Sequence, residues 1–308
     1  MNDLIPRFPH LMEQVLQKLD NKGVAKSRKI SRLWQDIIDV KKYPWLCIVK
    51  IPTLLNKGNT YLHLAAKTSQ IKMFETIIDS EADINLGNDD GYTPFHTACG
   101  SGSLDIVKMM IKKSDESIES LKFDLSLKTK KALTGFHLAC GFGHTSIVEM
   151  LIDKSEFLKL DPAAQDGYGS TGFHYACLAG HSNIVQVLLD KSEFLKLDPG
   201  VKDAWGSTGF RFACREGHTK IVELLIDKFE PRLVDFEIKG KWGCTAFHLA
   251  CLYGNTRIVE ILIDKSESLQ LDLAAKDDSG NTGFQLADEL KQLDVIDMIK
   301  YKMPSLIV

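Results

Sequence analysis

Apolar residues in this chain recur in short clusters, separated by polar segments that contain glycine. In one stretch a first cluster occupies positions i, i+3 and i+4 of a helical face: Phe173, Ala176 and Cys177. A second cluster follows at helical spacing: Ile184, Val185, Leu188 and Leu189. Thr171 suits the N-cap of the first helix, because its hydroxyl can accept a hydrogen bond from a free first-turn amide. Gly180 suits its end, since glycine tolerates positive φ. The pattern predicts a pair of short helices.

This helix pair recurs along most of the chain. Threonines mark it every 37 residues from Thr134 to Thr282, and two earlier ones, Thr93 and Thr60, precede at intervals of 41 and 33. Around them stand the strings GYTPFHTAC (91–99), LTGFHLAC (133–140), STGFHYAC (170–177), STGFRFAC (207–214), CTAFHLAC (244–251) and NTGFQLA (281–287). Two short helices cannot bury their apolar faces alone, so neighbouring copies must stack.

These strings resemble the ankyrin repeat, whose pattern runs T-P-L-H-x-A-A-x-x-G-H-x-x-I-V-x-x-L-L. The resemblance implies an all-α fold, an ankyrin-repeat solenoid of helix-turn-helix repeats with β-hairpin loops. Seven units match and cover about four-fifths of the chain: 56–87, 88–128, 129–165, 166–202, 203–239, 240–276, and 277–308 as a C-terminal cap. Four residues beyond the family's usual unit fall around LKLDPAA, and they lengthen either the second helix or the loop after it.

Composition and motifs favour a binding protein over an enzyme. The chain is 44% hydrophobic and 26% charged, with a net charge of −3, and its apolar runs are too short for a membrane span. It has no triad, phosphate loop or paired-carboxylate motif, so we expect neither catalysis nor a cofactor. Seven cysteines without a C-x-x-C motif form no disulfide framework. The expected location is a reducing compartment, the cytoplasm or the nucleus.

Five cysteines occupy the same position in successive units: Cys99, Cys140, Cys177, Cys214 and Cys251. A histidine precedes most of them at i, i+3, as His137 precedes Cys140, and the two residue types are good zinc ligands. The ankyrin motif itself places histidine there, where it bonds the backbone of an adjacent repeat. The resemblance therefore implies a structural histidine beside a small buried cysteine, and no metal site.

Positions that differ between units are free to contact a partner. At the repeat tips the units carry Tyr168, Trp205 and Trp242, and the adjoining helix face carries Phe142, Arg215, Glu216 and Tyr253. Arg211 stands where other units place histidine. Tyr, Trp and Arg dominate binding hot spots, so these residues predict a partner-binding patch on the concave face, centred on Tyr168, Trp205, Trp242 and Tyr253. The alternative is that the tip aromatic rings only pack against one another.

Residues 1–55 do not match the repeat and are basic, with ten Lys and Arg against five Asp and Glu up to residue 51. A solvated helical surface accounts for this charge better than nucleic-acid or lipid binding does. The segment FPHLMEQVLQKLDNKGVAKSRKISRLWQDII resembles an F-box, a small helical domain. The resemblance implies adaptor contacts through Pro9, Val15, Leu16, Leu19, Val24, Ile30 and Trp34.

An F-box implies a particular function. Such modules bind the Skp-type adaptor of cullin-RING ubiquitin ligases, so the repeats would hold a protein substrate for ubiquitin transfer by other subunits. The resemblance thus predicts a substrate receptor with no nucleic-acid or membrane partner. Two alternatives stay open: a plain ankyrin scaffold or inhibitor whose N-terminus is a helical cap, and a metal protein or enzyme that uses the His/Cys pairs.

Overall fold

The computed structural model describes residues 58–78, 82–116, 123–158, 160–228 and 236–307. The predicted F-box-like module, 1–55, lies outside these described residues, and so do its adaptor-contact residues. The chain divides into two compact units. The first comprises the described residues up to Ala98 together with Asp105–Asp124, and the second comprises residues 99–104 and those from Leu125 onward.

The first unit is built from short helices. Their bounds are α1 Tyr61–Lys67, α2 Ile71–Ile78, α3 Pro94–Ser101 and α4 Leu104–Glu116, with the end of α3 and the first residue of α4 assigned to the second unit. Leu62, Phe74 and Ile77 are almost completely buried and form part of its core. His63 Nε2 donates to the carbonyl of Tyr92 at 2.6 Å, which ties α1 to the segment that precedes α3.

The second unit consists of stacked helix pairs. The first helices are α5 Gly135–Gly141, α8 Gly172–Ala179, α11 Gly209–Glu216, α13 Ala246–Leu252 and α16 Gly283–Glu289. The second helices are α6 Thr145–Asp153, α9 Ser182–Asp190, α12 Thr219–Lys228, α14 Thr256–Asp264 and α17 Leu293–Lys302. Each first helix packs against the next first helix, and each second helix against the next second helix. The copies therefore form two helical layers, which confirms the all-α repeat fold.

Threonine and histidine together begin the first helix in most copies. Thr171 has extended backbone geometry, and its N–H donates to His174 Nδ1 at 3.1 Å in a capping box. Gly180 ends α8 with φ of 79°, in the left-handed region that glycine adopts without strain. The start and end predicted for this helix are confirmed.

The core of each copy follows the predicted pattern. Phe173, Ala176 and Cys177 on α8 have no solvent exposure, and all four apolar residues of the following cluster on α9 are buried. The next copy approaches this core closely: a Cβ on Gly209 would lie 2.6 Å from the ring of Phe173. At Gly209 a side chain would therefore overlap the neighbouring phenylalanine.

The extra residues of the long repeats form a further short helix after the second helix. These helices are α7 Ser155–Leu158, α10 Ser192–Leu195 and α15 Ser266–Leu269. Leu195 and Leu269 are buried, so each of these two helices adds a residue to the core. The sequence left open whether these residues lengthen the second helix or the loop after it. In the structure they form a separate short helix instead.

The repeat tips are turns rather than strands. The described residues contain helices and turns but no β-strand. Each tip donates a backbone N–H to a carbonyl of the preceding tip: Ala204 to Tyr168 at 2.8 Å, Lys241 to Trp205 at 2.8 Å, and Asp278 to Trp242 at 3.0 Å. The expected β-hairpin loops are thus reduced to a single row of turns. A 3₁₀ helix covers Lys241–Gly243 within this row, and another, Pro304–Ile307, follows α17.

Candidate partner-binding surface

A groove of about 500 Å³ lies within the second unit, between the tips and the first helices. The tips contribute aromatic side chains, and helices α8, α11 and α13 contribute aliphatic and aromatic ones. Representative lining residues are Tyr168, Trp205, Phe212, Trp242, Leu252 and Tyr253. The four residues that the sequence placed at the centre of a binding patch therefore line one continuous groove.

The groove aromatics are exposed to different degrees. Trp242 is 70% exposed and Tyr253 is 55% exposed, whereas Tyr168 and Trp205 are 42% and 45% exposed. The last two rings stack on each other with centroids 5.3 Å apart and planes at 24°. The alternative of tip-to-tip packing thus describes Tyr168 and Trp205 in part. Trp242 and Tyr253 keep most of their apolar surface in solvent, as contact residues do before a partner binds.

Trp242 also has an unusual backbone. Its φ is 74°, in the left-handed region, where a large side chain is a genuine outlier and glycine is the least costly residue. Strain of this kind costs on the order of 1–3 kcal/mol and clusters at ligand-binding sites. A strained, exposed tryptophan at the edge of a groove supports a binding role for this position.

The remaining predicted contact residues lie in different surroundings. Arg215 lines the groove, where its guanidinium lies over the ring of Phe212 at 5.0 Å and pairs with Glu216 at 2.7 Å. Phe142 is 63% exposed but lies outside the groove lining, as Glu216 does. The structure therefore brings Arg215 together with the aromatic residues and leaves Phe142 and Glu216 beside them.

Arg211 also lines the groove, but its side chain is buried, which corrects the expectation of an exposed contact residue. It is only 4% exposed, and its Nη1 donates to the carbonyl of Ile238 at 3.1 Å and to that of Cys244. The guanidinium occupies the histidine position and bonds the next copy, and burial lowers its pKa. Gly240 makes room for it, since a Cβ there would overlap the guanidinium. Three other copies carry aspartate at that position, so the pair Arg211 and Gly240 was a usable signal in the sequence.

The sequence reasoning missed a buried carboxylate behind the groove. Asp203 Oδ1 accepts from the N–H groups of Trp205 and Ser207 at 2.9 and 2.7 Å and so holds the tip turn. Its other oxygen, Oδ2, has no hydrogen-bond partner among the described residues. In the preceding copy the Tyr175 hydroxyl donates to the equivalent oxygen of Asp166 at 2.7 Å. The residue equivalent to Tyr175 is Phe212, so the hydroxyl is lost in this copy.

The repeated histidine position is structural in the copies that have a histidine there. Nε2 of His137 donates to the Ser170 carbonyl at 3.1 Å, and Nε2 of His248 donates to the Asn281 carbonyl at 3.2 Å. Because Nδ1 of each accepts from its capping threonine N–H, each ring is held as the neutral Nε2–H tautomer. Burial lowers the pKa of His137, His174 and His248.

The repeated cysteines are core residues. Cys140, Cys177, Cys214 and Cys251 have no solvent exposure, and burial raises the pKa of each thiol. Within the described part of the chain, no three His, Cys, Asp or Glu side chains are grouped so that they could hold a metal ion.

Stacked helix pairs define a helical repeat protein, and its second unit presents a groove lined by aromatic side chains. The family model described as "Ankyrin repeats (3 copies)" matches residues 45–120, 113–198, 192–272 and 212–303. These matches cover most of the chain, so the protein belongs to the ankyrin-repeat family. Ankyrin repeats bind protein partners, and the chain is accordingly a protein-interaction protein. Because these matches overlap and each spans several repeats, they do not give the number of repeats. The count of seven repeats stays a prediction.

Individual relatives share only parts of their length with this chain. The Notch-regulated ankyrin repeat-containing protein of Xenopus tropicalis is 28% identical over 112 residues, which are 36% of this chain and 90% of that protein. Alpha-latrotoxin-Lg1a of Latrodectus geometricus is 41% identical over 64 residues, and the transient receptor potential cation channel subfamily A member 1 of Drosophila melanogaster is 40% identical over 57. These matches cover 20% and 18% of this chain, and only 5% of the toxin and of the channel.

The channel relative raises the question of a membrane span. No helix in the described ranges is both long enough and apolar enough to cross a bilayer.

Proposed function

We propose that this chain is a non-enzymatic recognition protein whose aromatic groove binds a partner protein. The observation that carries the proposal is the exposure of Trp242 and Tyr253 in one groove of the second unit. Folding normally buries such rings, and each hides a large apolar area when a partner covers it. A central aromatic cluster with a polar rim is the composition of interface hot spots.

The test is a comparison of partners captured by three forms of the full chain. The groove variant is Trp242→Ala with Tyr253→Ala, since these two rings are the most exposed and their removal leaves the Tyr168–Trp205 stack intact. Phe194→Ala is the matched control, because Phe194 is also an aromatic residue, is 58% exposed and lies outside the groove.

The proposal expects that proteins bound by the wild type and by the control are lost from the groove variant, with the urea midpoint of that variant unchanged. Retention of the same partners by the groove variant at wild-type levels would show that the groove is not the binding site.

We further propose that the chain is the substrate-recognition subunit of an SCF-type ubiquitin ligase. Support for this comes from the F-box-like spacing of residues 1–55, in which Ile30 stands eleven positions after Leu19 and Trp34 stands four positions after Ile30. The module would bind a Skp-type adaptor, and the groove would raise the local concentration of substrate near the charged conjugating enzyme. The chain would perform no covalent step.

Co-expression with a Skp-type adaptor tests this part separately. A stable complex that is lost on substitution of Leu16, Ile30 or Trp34 by alanine supports the receptor function. If no complex forms, residues 1–55 serve as a helical cap, and the protein is a plain ankyrin scaffold or inhibitor. Partner binding by the groove is independent of this result.

A further inference from the structure

The tips of the second unit, some of which border the groove, are basic as a group, although the chain as a whole is acidic. Within the second unit the tip segments carry seven exposed lysines: Lys128, Lys130, Lys131, Lys202, Lys239, Lys241 and Lys276. The chain has a net charge of −3, so this edge is a local reversal of sign. A concentration of like charge next to an apolar groove selects for ligands of the opposite charge.

The carboxylates of the same segments do not neutralise these lysines. Asp166 and Asp203 are buried and accept backbone N–H groups inside their own turns. Asp277 accepts from Ser279 and Asn281 in the same way. Asp278 is the exposed carboxylate of the tip segments. The ion pairs formed among the described residues join other side chains, and of the seven lysines Lys239 donates to the carbonyl of Lys276 at 2.9 Å. Lys131 and Lys241 form no ion pair within the described part of the chain.

Two of the lysines lie directly beside the groove aromatics. Lys131 Nζ is 6.0 Å from the centroid of the Tyr168 ring, and Lys241 Nζ is 5.6 Å from that of Trp242. These ammonium groups therefore flank the apolar lining at the tips on either side of Trp205. A ligand that covers the rings would bring its own charges next to both lysines.

We propose that the groove binds an acidic peptide segment of a partner protein, in which apolar side chains cover Trp205 and Trp242 while carboxylates pair with Lys131 and Lys241. This rests on the proposed partner-binding function and specifies the class of partner. Aspartate or glutamate beside the apolar residues would gain charge-assisted hydrogen bonds from the lysines. Basic segments would be repelled from the same edge, so the lysines supply specificity and a faster association rate.

A single-stranded nucleic acid also combines negative charge with apolar rings, but the geometry favours a peptide. Nucleic-acid platforms offer open aromatic faces on which successive bases stack. Here the Tyr168 and Trp205 rings already stack face to face at 5.3 Å, which closes that space.

The experiment selects peptides from a random display library on the full-length protein, and measures the enriched sequences by fluorescence anisotropy at low and high salt. The test variant is Lys131→Gln with Lys241→Gln. Its matched control is Lys220→Gln with Lys265→Gln, two exposed lysines of the second-helix layer. An oligothymidylate of matched length is measured in parallel.

The expected result is a set of enriched peptides rich in Asp and Glu beside apolar residues. Their affinity should fall roughly three- to tenfold in the test variant, with a smaller salt dependence, and stay unchanged in the control. The proposal would be overturned if the enriched peptides were neutral or basic, or if no peptide were enriched. It would also be overturned if the test variant bound the peptides with the same affinity as the wild type. Tighter binding of the oligothymidylate that depends on the same lysines would overturn it as well.

The same peptides separate this proposal from the one on which it rests. Neutral peptides whose binding is lost in the Trp242→Ala, Tyr253→Ala variant would leave the groove as the binding site and remove only the acidic preference. Peptides that bind this variant as tightly as the wild type would remove the proposed function of the groove itself.

Discussion

The unpaired oxygen of Asp203 leads to a prediction of increased stability from a single hydroxyl group. In the wild type, Phe212 stands where the preceding copy has Tyr175. The two rings have the same setting, since each makes an edge-to-face contact with the histidine of the copy before it: Tyr175 with His137 at 5.8 Å and Phe212 with His174 at 5.9 Å. In Phe212→Tyr, the new hydroxyl should therefore reach Asp203 Oδ2 as the Tyr175 hydroxyl reaches Asp166 Oδ2, at 2.7 Å.

The size of the effect follows from the charge and burial of the acceptor. A hydrogen bond contributes about 0.5–1.5 kcal/mol net, and one to a charged group about 1.5–3 kcal/mol. Asp203 is 6% exposed, but Phe212 is only half-buried, so water competes for part of the gain. We expect the free energy of unfolding to rise by roughly 1 kcal/mol, which for a domain of this size raises Tm by about 2–4 °C.

Urea unfolding followed by circular dichroism measures this difference, and Tyr175→Phe is the matched control. That substitution removes the existing bond and leaves a buried carboxylate oxygen without a donor, so the free energy of unfolding should fall by roughly 1–3 kcal/mol. The reasoning is refuted if Phe212→Tyr leaves the urea midpoint unchanged or lowers it while Tyr175→Phe lowers it as expected.

Three further predictions concern the interior of the stack. Gly240→Ala should lower the free energy of unfolding by roughly 1–3 kcal/mol, because the new Cβ would overlap the Arg211 guanidinium. Adding Arg211→His should restore the lost stability. A loss that persists in the double variant would contradict this cause. Since burial lowers the pKa of three histidines below the value of about 6.5 in the unfolded chain, their neutral forms stabilise the fold fully above that pH, and stability should decline as the pH falls below it. Urea midpoints measured across this pH range should decline less in His248→Gln than in the wild type. An equal decline would show that other groups cause the loss of stability. The buried cysteines should resist a thiol reagent in the folded protein and react on unfolding, as measured by mass spectrometry; rapid labelling of Cys177 under native conditions would contradict its burial.

Much of the fold was predictable because residues within or next to each helix determine where it begins and ends. Thr171 and Gly180 mark the ends of α8 through short-range capping, which needs no knowledge of the tertiary structure. The apolar spacing likewise fixed which faces are buried. The short helix Ser155–Leu158 and its equivalents were not resolved by the sequence, because four residues have too little periodicity to separate a helical turn from a loop.

The candidate site was predictable where a side chain could only point into solvent. It was not predictable where a side chain could reach either solvent or the interior. Trp242 sits at a tip and is exposed, as the comparison of units indicated. Arg211 is long enough to reach either solvent or the carbonyls of the next copy, and the space left at Gly240 decides the outcome. The left-handed backbone of Trp242 is not shared by Tyr168 or Trp205 at the equivalent tip positions, and the sequence comparison of the units did not indicate it.

Photo-crosslinking from within the groove shows whether the groove receives a partner protein. A benzophenone amino acid placed at Trp242 in the full chain lies in the groove, and the same group placed at Phe194 is also exposed but lies outside it. On irradiation in cells, the account predicts a discrete crosslinked partner from Trp242, competed by excess unlabelled wild-type protein, and none from Phe194. A partner crosslinked from Phe194 and absent from Trp242 would contradict it.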